Sequence, residues 1–455
     1  MKTALGLPVV FRGLPRLRGA EPGPIGGLVE LDLEAKQQWL DVAGGNAYLY
    51  AFNGQVPGPI VEARPGDRIR IRFRNGLSEP TNLHYHGLHI PPTGNADNSF
   101  LMIPPGESLT YEFTLPANHP AGTFWYHPHL HQSAARQVSR GLAGLFLVRG
   151  ELDAIPEIAS AQEYSLVLQD FDLDSRGVPR EPNMMQRMQG REGDLITMNG
   201  LSSPAIPIRK DGQIRLRLLN ASSSRFYRLR IEEHTFHQIA SDGGALPVPL
   251  ELAELLLVPG ERAEVIVEGS RAPDTYRLVN LPYNRGGMGM MGGGRLPVDT
   301  LATLVYEGKA EQSVRLPERL APVETLPPPA AVRTFVLGQG MGMGMMGGGM
   351  NFTINGRTFR ADRVDTRVRL GSVEDWEFVN PATMDHPMHI HTNPFQVVNR
   401  DGSAGPAWKD VVLVRAGSRV RVRTRFQDFT GKAMYHCHIL DHEDLGMMGV
   451  VEIVE

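Results

Sequence analysis

Cysteine is almost absent from this chain: its 455 residues contain a single one, Cys437. A lone thiol cannot form an intramolecular disulfide, which excludes a small disulfide-stapled fold and leaves the redox compartment unspecified. A solitary thiol suits a metal thiolate, because no second thiol of the same chain can oxidise with it.

Long apolar runs and an excess of one charge are also lacking. No apolar run reaches the ~20 residues that a transmembrane helix needs, so no membrane span is expected. The net charge of −4 and the pI of about 6.4 give no reason to expect nucleic-acid binding. The first eight residues have only a short apolar patch before Arg12, Arg16 and Arg18, and this makes a poor export signal.

Turn-forming residues are abundant instead. The 50 glycines and 35 prolines, with few long helical patterns, favour many short strands joined by turns. The stretch Arg68–Phe73 alternates basic and apolar residues, which predicts a half-buried strand with its arginines facing solvent. The sequence therefore predicts an all-β protein, and its length predicts two to four domains.

Two short units recur along the chain. A turn, a strand and an asparagine follow one another three times, ending at Asn75, Asn220 and Asn380. A turn followed by a strand occurs at Pro105, Pro259 and Ala416. The period of roughly 150 residues is the size of a domain. We therefore predict related all-β domains at residues 1–150, 151–315 and 332–455, with a proline-rich linker at residues 316–331.

The histidines are concentrated in the first and third repeats. Ten of the 15 lie in four short clusters there, whereas the middle repeat contains only His234 and His237. We infer that two repeats carry chemistry and that the middle one is mainly structural.

The cluster near the end of the chain contains the lone cysteine, between His436 and His438, with His442 and Met447 close behind. On a strand, successive side chains point to opposite faces, so the two flanking histidines would project one way and Cys437 the other. A thiolate, imidazoles and a weak thioether are the ligands of a blue-copper electron-transfer site. One short strand could then serve two metal sites.

Three further clusters repeat the histidine–X–histidine spacing. The pairs are His84 and His86, His127 and His129, and His389 and His391, the last preceded by His386 and by Pro387, which is expected to interrupt regular pairing. A single pair of this kind is more often a solvated strand face than a ligand pair. Four clusters, one containing the only cysteine, favour a metal site.

With these motifs, the chain resembles the multicopper oxidases over almost its whole length. The similarity extends to Asn53-Gly54 with Pro57-Gly58-Pro59 and to Pro259-Gly260-Glu261-Arg262. The resemblance implies three consecutive cupredoxin-like Greek-key β-sandwich or barrel domains. It also implies four copper ions: one type 1 copper that accepts single electrons, and a trinuclear cluster between the first and third domains that reduces dioxygen to water.

The resemblance assigns the copper ligands residue by residue. The type 1 ligands are His386, Cys437 and His442, with Met447 as the weak axial ligand. The type 2 ligands are His84 and His389. One type 3 copper is held by His86, His127 and His438, and the other by His129, His391 and His436.

Dioxygen reduction consumes protons, and two acids are candidates for supplying them. Glu443 follows a predicted type 1 ligand, and acids are common at this place in the family; Asp97 follows the first histidine pair. The alternative is that both acids only orient neighbouring groups. His131, although it continues the second cluster, is interpreted as a neighbouring or surface group.

Two methionine-rich segments, residues 286–294 and 338–351, have so many glycines that neither a stable strand nor a helix is expected. Thioethers on a flexible backbone suit Cu(I). The alternative is a low-complexity loop. The candidate residues are Met288, Met290, Met291, Met341, Met343, Met345, Met346 and Met350.

The leading hypothesis is a copper-dependent oxidase that uses dioxygen and takes electrons from phenolic or aromatic donors or from Cu(I). The close alternative is a cuprous oxidase for copper tolerance with weak phenol oxidase activity. A non-catalytic copper-binding or cell-envelope scaffold is the alternative of another class. A monomer, periplasmic or secreted, is expected.

Overall fold

The computed structural model describes residues 26–287, 298–341 and 350–455. The regular structure of these residues consists of strands and five short helices. The helices are α1 (Ala134–Ser139), α2 (Glu151–Ala154), α3 (Pro156–Ala159), α4 (Met184–Gln189) and α5 (Leu440–Asp444). The predicted all-β class is confirmed, and no described helix is long and apolar enough to cross a membrane.

The first sandwich has two four-stranded sheets, ordered β2-β1-β4-β6 and β3-β8-β7-β5. Its strands are β1 (Leu28–Val42), β2 (Gly45–Phe52), β3 (Gly58–Ala63), β4 (Arg68–Gly76), β5 (His84–His86), β6 (Ser108–Thr114), β7 (Gly122–His127) and β8 (Gly144–Val148). The predicted alternation in β4 is confirmed, since Ile69, Ile71 and Phe73 are buried. The arginines between them pair with acids on β1 and β6.

The second sandwich has a six-stranded sheet, β10-β9-β12-β17-β14-β15, and a five-stranded sheet, β11-β19-β18-β13-β16. Its strands are β9 (Gln162–Phe171), β10 (Leu195–Met198), β11 (Ala205–Lys210), β12 (Gln213–Asn220), β13 (Tyr227–Ile231), β14 (Phe236–Ser241), β15 (Gly244–Leu252), β16 (Leu255–Leu257), β17 (Arg262–Glu268), β18 (Thr275–Leu281) and β19 (Asp299–Lys309).

The third sandwich repeats this arrangement, with sheets ordered β21-β20-β23-β28-β25-β26 and β22-β30-β29-β24-β27. Its strands are β20 (Ala331–Met341), β21 (Met350–Ile354), β22 (Thr366–Arg369), β23 (Val373–Asn380), β24 (His386–Ile390), β25 (Phe395–Val398), β26 (Ala404–Lys409), β27 (Val411–Val414), β28 (Ser418–Arg425), β29 (Gly431–Cys437) and β30 (Met448–Val454). Each sandwich encloses its own apolar core.

The repeated asparagines make the same hydrogen bonds in all three sandwiches. The side-chain amides of Asn75, Asn220 and Asn380 each donate to two backbone carbonyls, at 2.7–3.0 Å, and each side-chain oxygen accepts from the amide two residues later. These bonds satisfy backbone groups where each strand ends in the interior. The repeats are therefore equivalent in their hydrogen bonds as well as in sequence.

A third repeated unit was missed by the sequence analysis. The Asn-Gly pairs at residues 53–54, 199–200 and 355–356 have positive φ at both residues, whereas the fourth Asn-Gly pair, residues 75–76, ends strand β4. In the first three pairs, each asparagine oxygen accepts from the backbone of a neighbouring strand. Asparagine and glycine tolerate this left-handed conformation best, so Asn-Gly was a readable signal for three related tight turns.

The ends of the second methionine-rich segment contradict the expectation that its glycines prevent a strand. Residues 338–341 belong to β20, and Met350 and Asn351 belong to β21. The two strands pair in register from Leu337 with Ile354 to Met341 with Met350. Backbone pairing with a neighbour thus outweighs the conformational freedom of Gly338 and Gly340.

Between the second and third sandwiches, residues 310–330 have no regular secondary structure. The segment is anchored rather than free, since Leu326 is buried and its amide donates to Gln396. The boundaries at residues 150 and 315 and the linker at residues 316–331 stay predictions, because sheet pairing alone does not delimit folding units.

Candidate metal centres

Three predicted type 1 ligands converge in the third sandwich. The Sγ atom of Cys437 lies 3.5 Å from Nδ1 of His386 and 3.8 Å from Nδ1 of His442, and the two Nδ1 atoms are 3.3 Å apart. All three side chains are fully buried. Three electron-pair donors this close together form a site for a cation that accepts sulfur and nitrogen.

Met447 lies beside this triad through its backbone. Its amide donates to the carbonyl of His442, and its carbonyl accepts from the amide of Cys437. Its side chain is fully buried in the core that also contains Cys437. The fourth predicted ligand therefore adjoins the first three, and its role as axial ligand stays a prediction.

The remaining eight predicted ligands come together between the first and third sandwiches. They are His84, His86, His127, His129, His389, His391, His436 and His438, and none has more than 1% of its surface exposed. Donor atoms converge in the groups His84/His86/His127, His84/His389/His391 and His129/His391/His436. His438 joins them, with its ring centroid 5.0 Å from that of His86.

The hydrogen bonds of these rings turn a nitrogen inward. The Nδ1 atoms of His127 and His389 contact backbone carbonyls, as does Nδ1 of His436. The opposite nitrogens of His127 and His389, Nε2, are buried and have no hydrogen-bond partner among the described residues. An acceptor on one side of an imidazole fixes the proton there and leaves the other lone pair for a metal ion.

Burial determines the protonation state of the predicted ligands at both sites. It lowers the pKa of His127 to about 3 and that of His129 to about 4, and it lowers the pKa of His386 to about 3. These imidazoles are therefore neutral at pH 7, as metal ligands must be. Burial raises the pKa of the Cys437 thiol, so a metal ion would have to displace its proton.

Strand pairing explains how one segment faces both sites. β24 pairs with β29, with Met388 opposite Cys437 and His389 opposite His436. Cys437 thus faces the triad, whereas His436 faces the cluster. The expectation that Pro387 interrupts pairing is wrong: it lies inside β24, opposite Leu413, and its carbonyl accepts from the amide of His438.

Glu443, in α5, is buried and its carboxylate faces the histidine cluster. Its Oε2 atom lies 3.1 Å from Nδ1 of His436, and its Oε1 atom 3.7 Å from Nε2 of His129. Burial raises the pKa of Glu443, but the facing imidazoles of His129 and His436 outweigh burial and bring it below its usual range. The acid is placed to exchange protons with the cavity.

Asp97 holds the opposite side of the cluster. Its Oδ1 atom accepts from the amide of Tyr85 at 2.9 Å and lies 2.8 Å from Nδ1 of His84. Burial raises the pKa of Asp97 to about 8, against the opposing effect of the Tyr85 amide. Asp97 therefore both orients His84 and titrates in the range useful for proton exchange.

Two contacts on the outer side of the triad were not predicted. The ring of Phe352 in β21 stacks on that of His442, with centroids 3.8 Å apart and planes at 17°. Nε2 of His442 lies 3.0 Å from the carbonyl of Met188 in α4. No sequence signal ties either residue to His442, because both contacts form only through tertiary packing.

The start of the first methionine-rich segment and the residue after the second lie next to the triad. Met288, Met290, Met291, Met343, Met345 and Met346 lie outside the described residues, and of Met341 and Met350 only the backbone is described. At the start of the first segment, Arg285 and Gly287 bond to the backbone of residues 383–385, beside His386. After the second segment, Phe352 reaches His442.

Histidines not predicted as ligands have other partners. His131 is partly exposed and contacts Phe359, with ring centroids 4.7 Å apart. His89 bonds to the carbonyl of Thr392 and to Asp428, and thereby links the first and third sandwiches. None of the five histidines outside the predicted ligand set belongs to the groups of converging donors among the described residues. They are His89, His119, His131, His234 and His237.

Comparison with known proteins identifies the family. Multicopper oxidase family models match residues 34–153, 162–309 and 330–455. The multicopper oxidase mco of Staphylococcus haemolyticus is 31% identical over 413 residues, which are 88% of this chain and 83% of that protein. The cell division protein FtsP of Xenorhabdus nematophila is 28% identical, over 91% of this chain and 87% of its own.

Among solved structures, the multicopper oxidase from Campylobacter jejuni, described as a metallo-oxidase, has a TM-score of 0.86 and 32% identity. The match covers 98% of this chain and 96% of that one. The predicted cupredoxin-like fold in three consecutive domains is thereby confirmed. The chain belongs to the multicopper oxidase family and is an oxidoreductase.

Proposed function

We propose that this protein couples the one-electron oxidation of a phenolic or aromatic donor, or of Cu(I), to the four-electron reduction of dioxygen to water. The observation that carries the proposal is the pair of adjacent sites, a cysteine–histidine triad and an eight-histidine cluster. They are joined within one tripeptide, because Cys437 faces the first site while His436 and His438 belong to the second.

The residues present fit copper, since buried neutral nitrogens, several of them without partners, converge at one site and a single thiol with two imidazoles converges at the other. Bound copper ions would supply one-electron acceptance at the triad and multi-electron transfer to dioxygen at the cluster. His386, Cys437, His442 and Met447 would hold the type 1 ion. The other eight histidines would hold the type 2 and the two type 3 ions, in the division given by the resemblance.

The protein side of the reaction consists of positioning, water exclusion and proton supply. Backbone carbonyls or carboxylates contact one nitrogen in five of the eight rings and hold these rings in one tautomer, so little rearrangement is needed during turnover. These rings are His84, His86, His127, His389 and His436. Complete burial excludes bulk water from the histidines. Glu443 beside His436 and Asp97 beside His84 are the proposed proton-relay groups, which take up protons and pass them to the cluster.

The donor side favours small donors. α4 covers the edge of His442, whose Nε2 atom contacts the carbonyl of Met188. Two side chains of the same helix, Met184 and Met185, are 62% and 50% exposed. A bulky phenol must therefore give its electron through the covering helix, whereas exposed thioethers can hold a Cu(I) ion near it.

A cuprous oxidase with weak phenol activity is the second candidate. It is supported by α4, whose Met188 carbonyl contacts His442, and by described residues at the edges of the two methionine-rich segments, which contact residues 383–385 and His442. A periplasmic or secreted monomer remains part of the proposal.

The test is a copper count, a visible spectrum and oxygen uptake on the purified, copper-loaded chain. We expect a blue absorption band, about four copper ions per chain, and oxygen uptake with Cu(I) and with a simple phenol, without release of peroxide. Faster oxidation of Cu(I) than of the phenol supports the cuprous oxidase.

Two outcomes would contradict the proposal. Copper-loaded protein that binds metal but consumes no oxygen with either donor supports a non-catalytic scaffold. Protein that takes up no copper removes the basis of both candidates.

A further inference from the structure

A side chain of the second sandwich, Arg262, reaches the edge of the histidine cluster. Arg262, at the start of β17, is 1% exposed, and its guanidinium donates from two nitrogens to the two carboxylate oxygens of Asp410, at 2.7 and 2.5 Å. The other three N–H groups donate to the carbonyls of Thr123, Gly260 and Asp242. All five donors of this buried cation are thus used.

Asp410 in turn contacts two predicted ligands from different sandwiches. Its Oδ1 atom lies 3.0 Å from Nε2 of His86, and its backbone carbonyl lies 2.7 Å from Nδ1 of His389. The two rings stack with centroids 3.8 Å apart and planes at 13°. The opposite nitrogens, Nδ1 of His86 and Nε2 of His389, are buried and without partners among the described residues.

We propose that Arg262 is a positioning residue through which the second sandwich controls copper retention at the histidine cluster. Arg262 holds the carboxylate of Asp410 so that both oxygens act only as acceptors. The proton of the contact is then on Nε2 of His86, and the Nδ1 lone pair faces the cavity. The backbone carbonyl of Asp410 accepts from Nδ1 of His389, so the proton of this ring is on Nδ1 and its Nε2 lone pair is free. This inference rests on the proposed assignment of the cluster as a copper site.

The backbone leaves room for this arrangement at two glycines. A Cβ atom on Gly87, at φ +86°, would lie 2.4 Å from both the Arg262 guanidinium and the Asp410 carboxylate. A Cβ atom on Gly260, at φ +84°, would lie 2.9 Å from the ring of His438. Both positions combine a left-handed backbone with close approach, which only glycine allows without strain. The second sandwich therefore packs directly against the cluster although it supplies none of the predicted ligands.

The experiment measures copper retention in the full-length, copper-loaded chain. We expect Arg262→Gln and Asp410→Asn to weaken copper binding at the cluster about 10- to 100-fold, the usual effect of removing a partner of a metal ligand. Competition with a copper chelator, followed by copper count and by the paramagnetic resonance signal of non-blue copper, gives the affinity. The blue band of the triad should be retained in both variants.

Arg217→Gln is the matched control. Arg217 is also a fully buried arginine of the second sandwich and also contacts Thr123, but its carboxylate partners are Glu163, Glu264 and Asp153 and it touches no cluster histidine. It should lose stability without losing copper from the cluster. Arg262→Lys, which keeps the charge but not the paired hydrogen bonds, should show an intermediate loss.

The outcomes separate this inference from the proposed function. Wild-type protein that binds no copper contradicts the proposed function itself. Wild-type copper content in Arg262→Gln, or equal copper loss in Arg217→Gln, overturns the positioning role. A double variant no worse than Asp410→Asn supports action through Asp410, and additive losses overturn it.

Discussion

At the scale of single residues, several predicted ligands have a second partner that fixes the orientation of the side chain. Cys437 contributes to both sites: its thiol belongs to the triad, and its backbone carbonyl contacts Nδ1 of His436, which belongs to the cluster. A backbone carbonyl takes the proton side of the rings of His127 and His389 and leaves the other nitrogen of each ring without a partner. The chemistry of the site thus depends on residues that never touch the metal.

Met447 sets the electron-entry potential in this account. Replacing it with leucine removes a weak donor that partly stabilises Cu(II), so Met447→Leu is expected to raise the type 1 reduction potential while the blue band persists. Redox titration of the blue band measures this. An unchanged potential would show that the thioether is not an axial ligand.

Glu443 is expected to matter for protons rather than for electrons. Glu443→Gln should lower the turnover number about 100-fold, because proton relay by an acid–base group typically contributes that much, while the blue band and the donor KM stay as in the wild type. Steady-state oxygen uptake across pH measures it, with Glu443→Asp as the variant that keeps a carboxyl group. Wild-type turnover of Glu443→Gln at every pH would leave Glu443 with an orienting role only.

At the scale of elements, the pairing of β24 with β29 and the closure of α5 bring the triad together. His386 comes from β24, Cys437 from the end of β29 and His442 from α5, so three elements supply one ligand each. Local signals in the sequence, the lone cysteine and the histidine–X–histidine pairs, located the clusters, whereas the choice of His386 and His442 as predicted partners of Cys437 came from the resemblance to the family. The stacking of Phe352 on His442 could not be predicted from the sequence, since it requires the β20–β21 hairpin to fold over the triad.

The paired ends of this hairpin permit a clean deletion. Removing residues 342–349 and joining Met341 to Met350 with a two-residue turn should preserve β20 and β21, because those residues are already opposite each other. We expect kcat/KM for Cu(I) to fall about tenfold, as loss of about 1.4 kcal/mol of donor binding would give, with phenol oxidation unchanged.

Sulfur, rather than loop length, is the proposed cause of this effect. Replacing Met343, Met345 and Met346 with leucine keeps the loop and should lower the Cu(I) rate to a similar extent. Equal loss of both activities in the deletion variant would instead point to damage at the triad.

At the scale of the whole molecule, the function depends on the contacts between sandwiches. The division into three all-β repeats followed from the periodic asparagines and turns, and the structure shows them to be equivalent in their hydrogen bonds. The contribution of the middle repeat was underestimated. Its Arg262 meets Asp410 at a sequence separation of 148 residues, and Asp410 meets His86 at a separation of 324, so no local pattern reveals either contact.

Charged groups also join the first two sandwiches. Glu163 in β9 accepts from Arg149 at 2.9 Å and from Arg217 at 2.8 Å. Burial raises the pKa of Glu163, but the charge of Arg217 and the hydrogen bond from Arg149 outweigh it and lower the pKa to about 2. The unfolded chain binds this proton near pH 4.5, so the stabilisation is complete above that pH and is lost as the pH falls through about 2.

Glu163→Gln should therefore reduce the free energy of unfolding at pH 7 by on the order of 3 kcal/mol. It should also flatten the loss of stability between pH 4.5 and 2 relative to the wild type. Urea unfolding at a series of pH values measures both effects, with the exposed Glu311→Gln as control. Parallel pH profiles for wild type and Glu163→Gln would contradict the assigned ion pairs.

The central claim is that ten histidines and one cysteine seat copper at two adjacent sites. Anomalous diffraction at the copper absorption edge, on crystals of the copper-loaded protein, tests it most directly. We predict one peak among His386, Cys437 and His442, and three peaks enclosed by the other eight ligand histidines. Peaks elsewhere, or empty density at either site in copper-loaded crystals, would contradict the account.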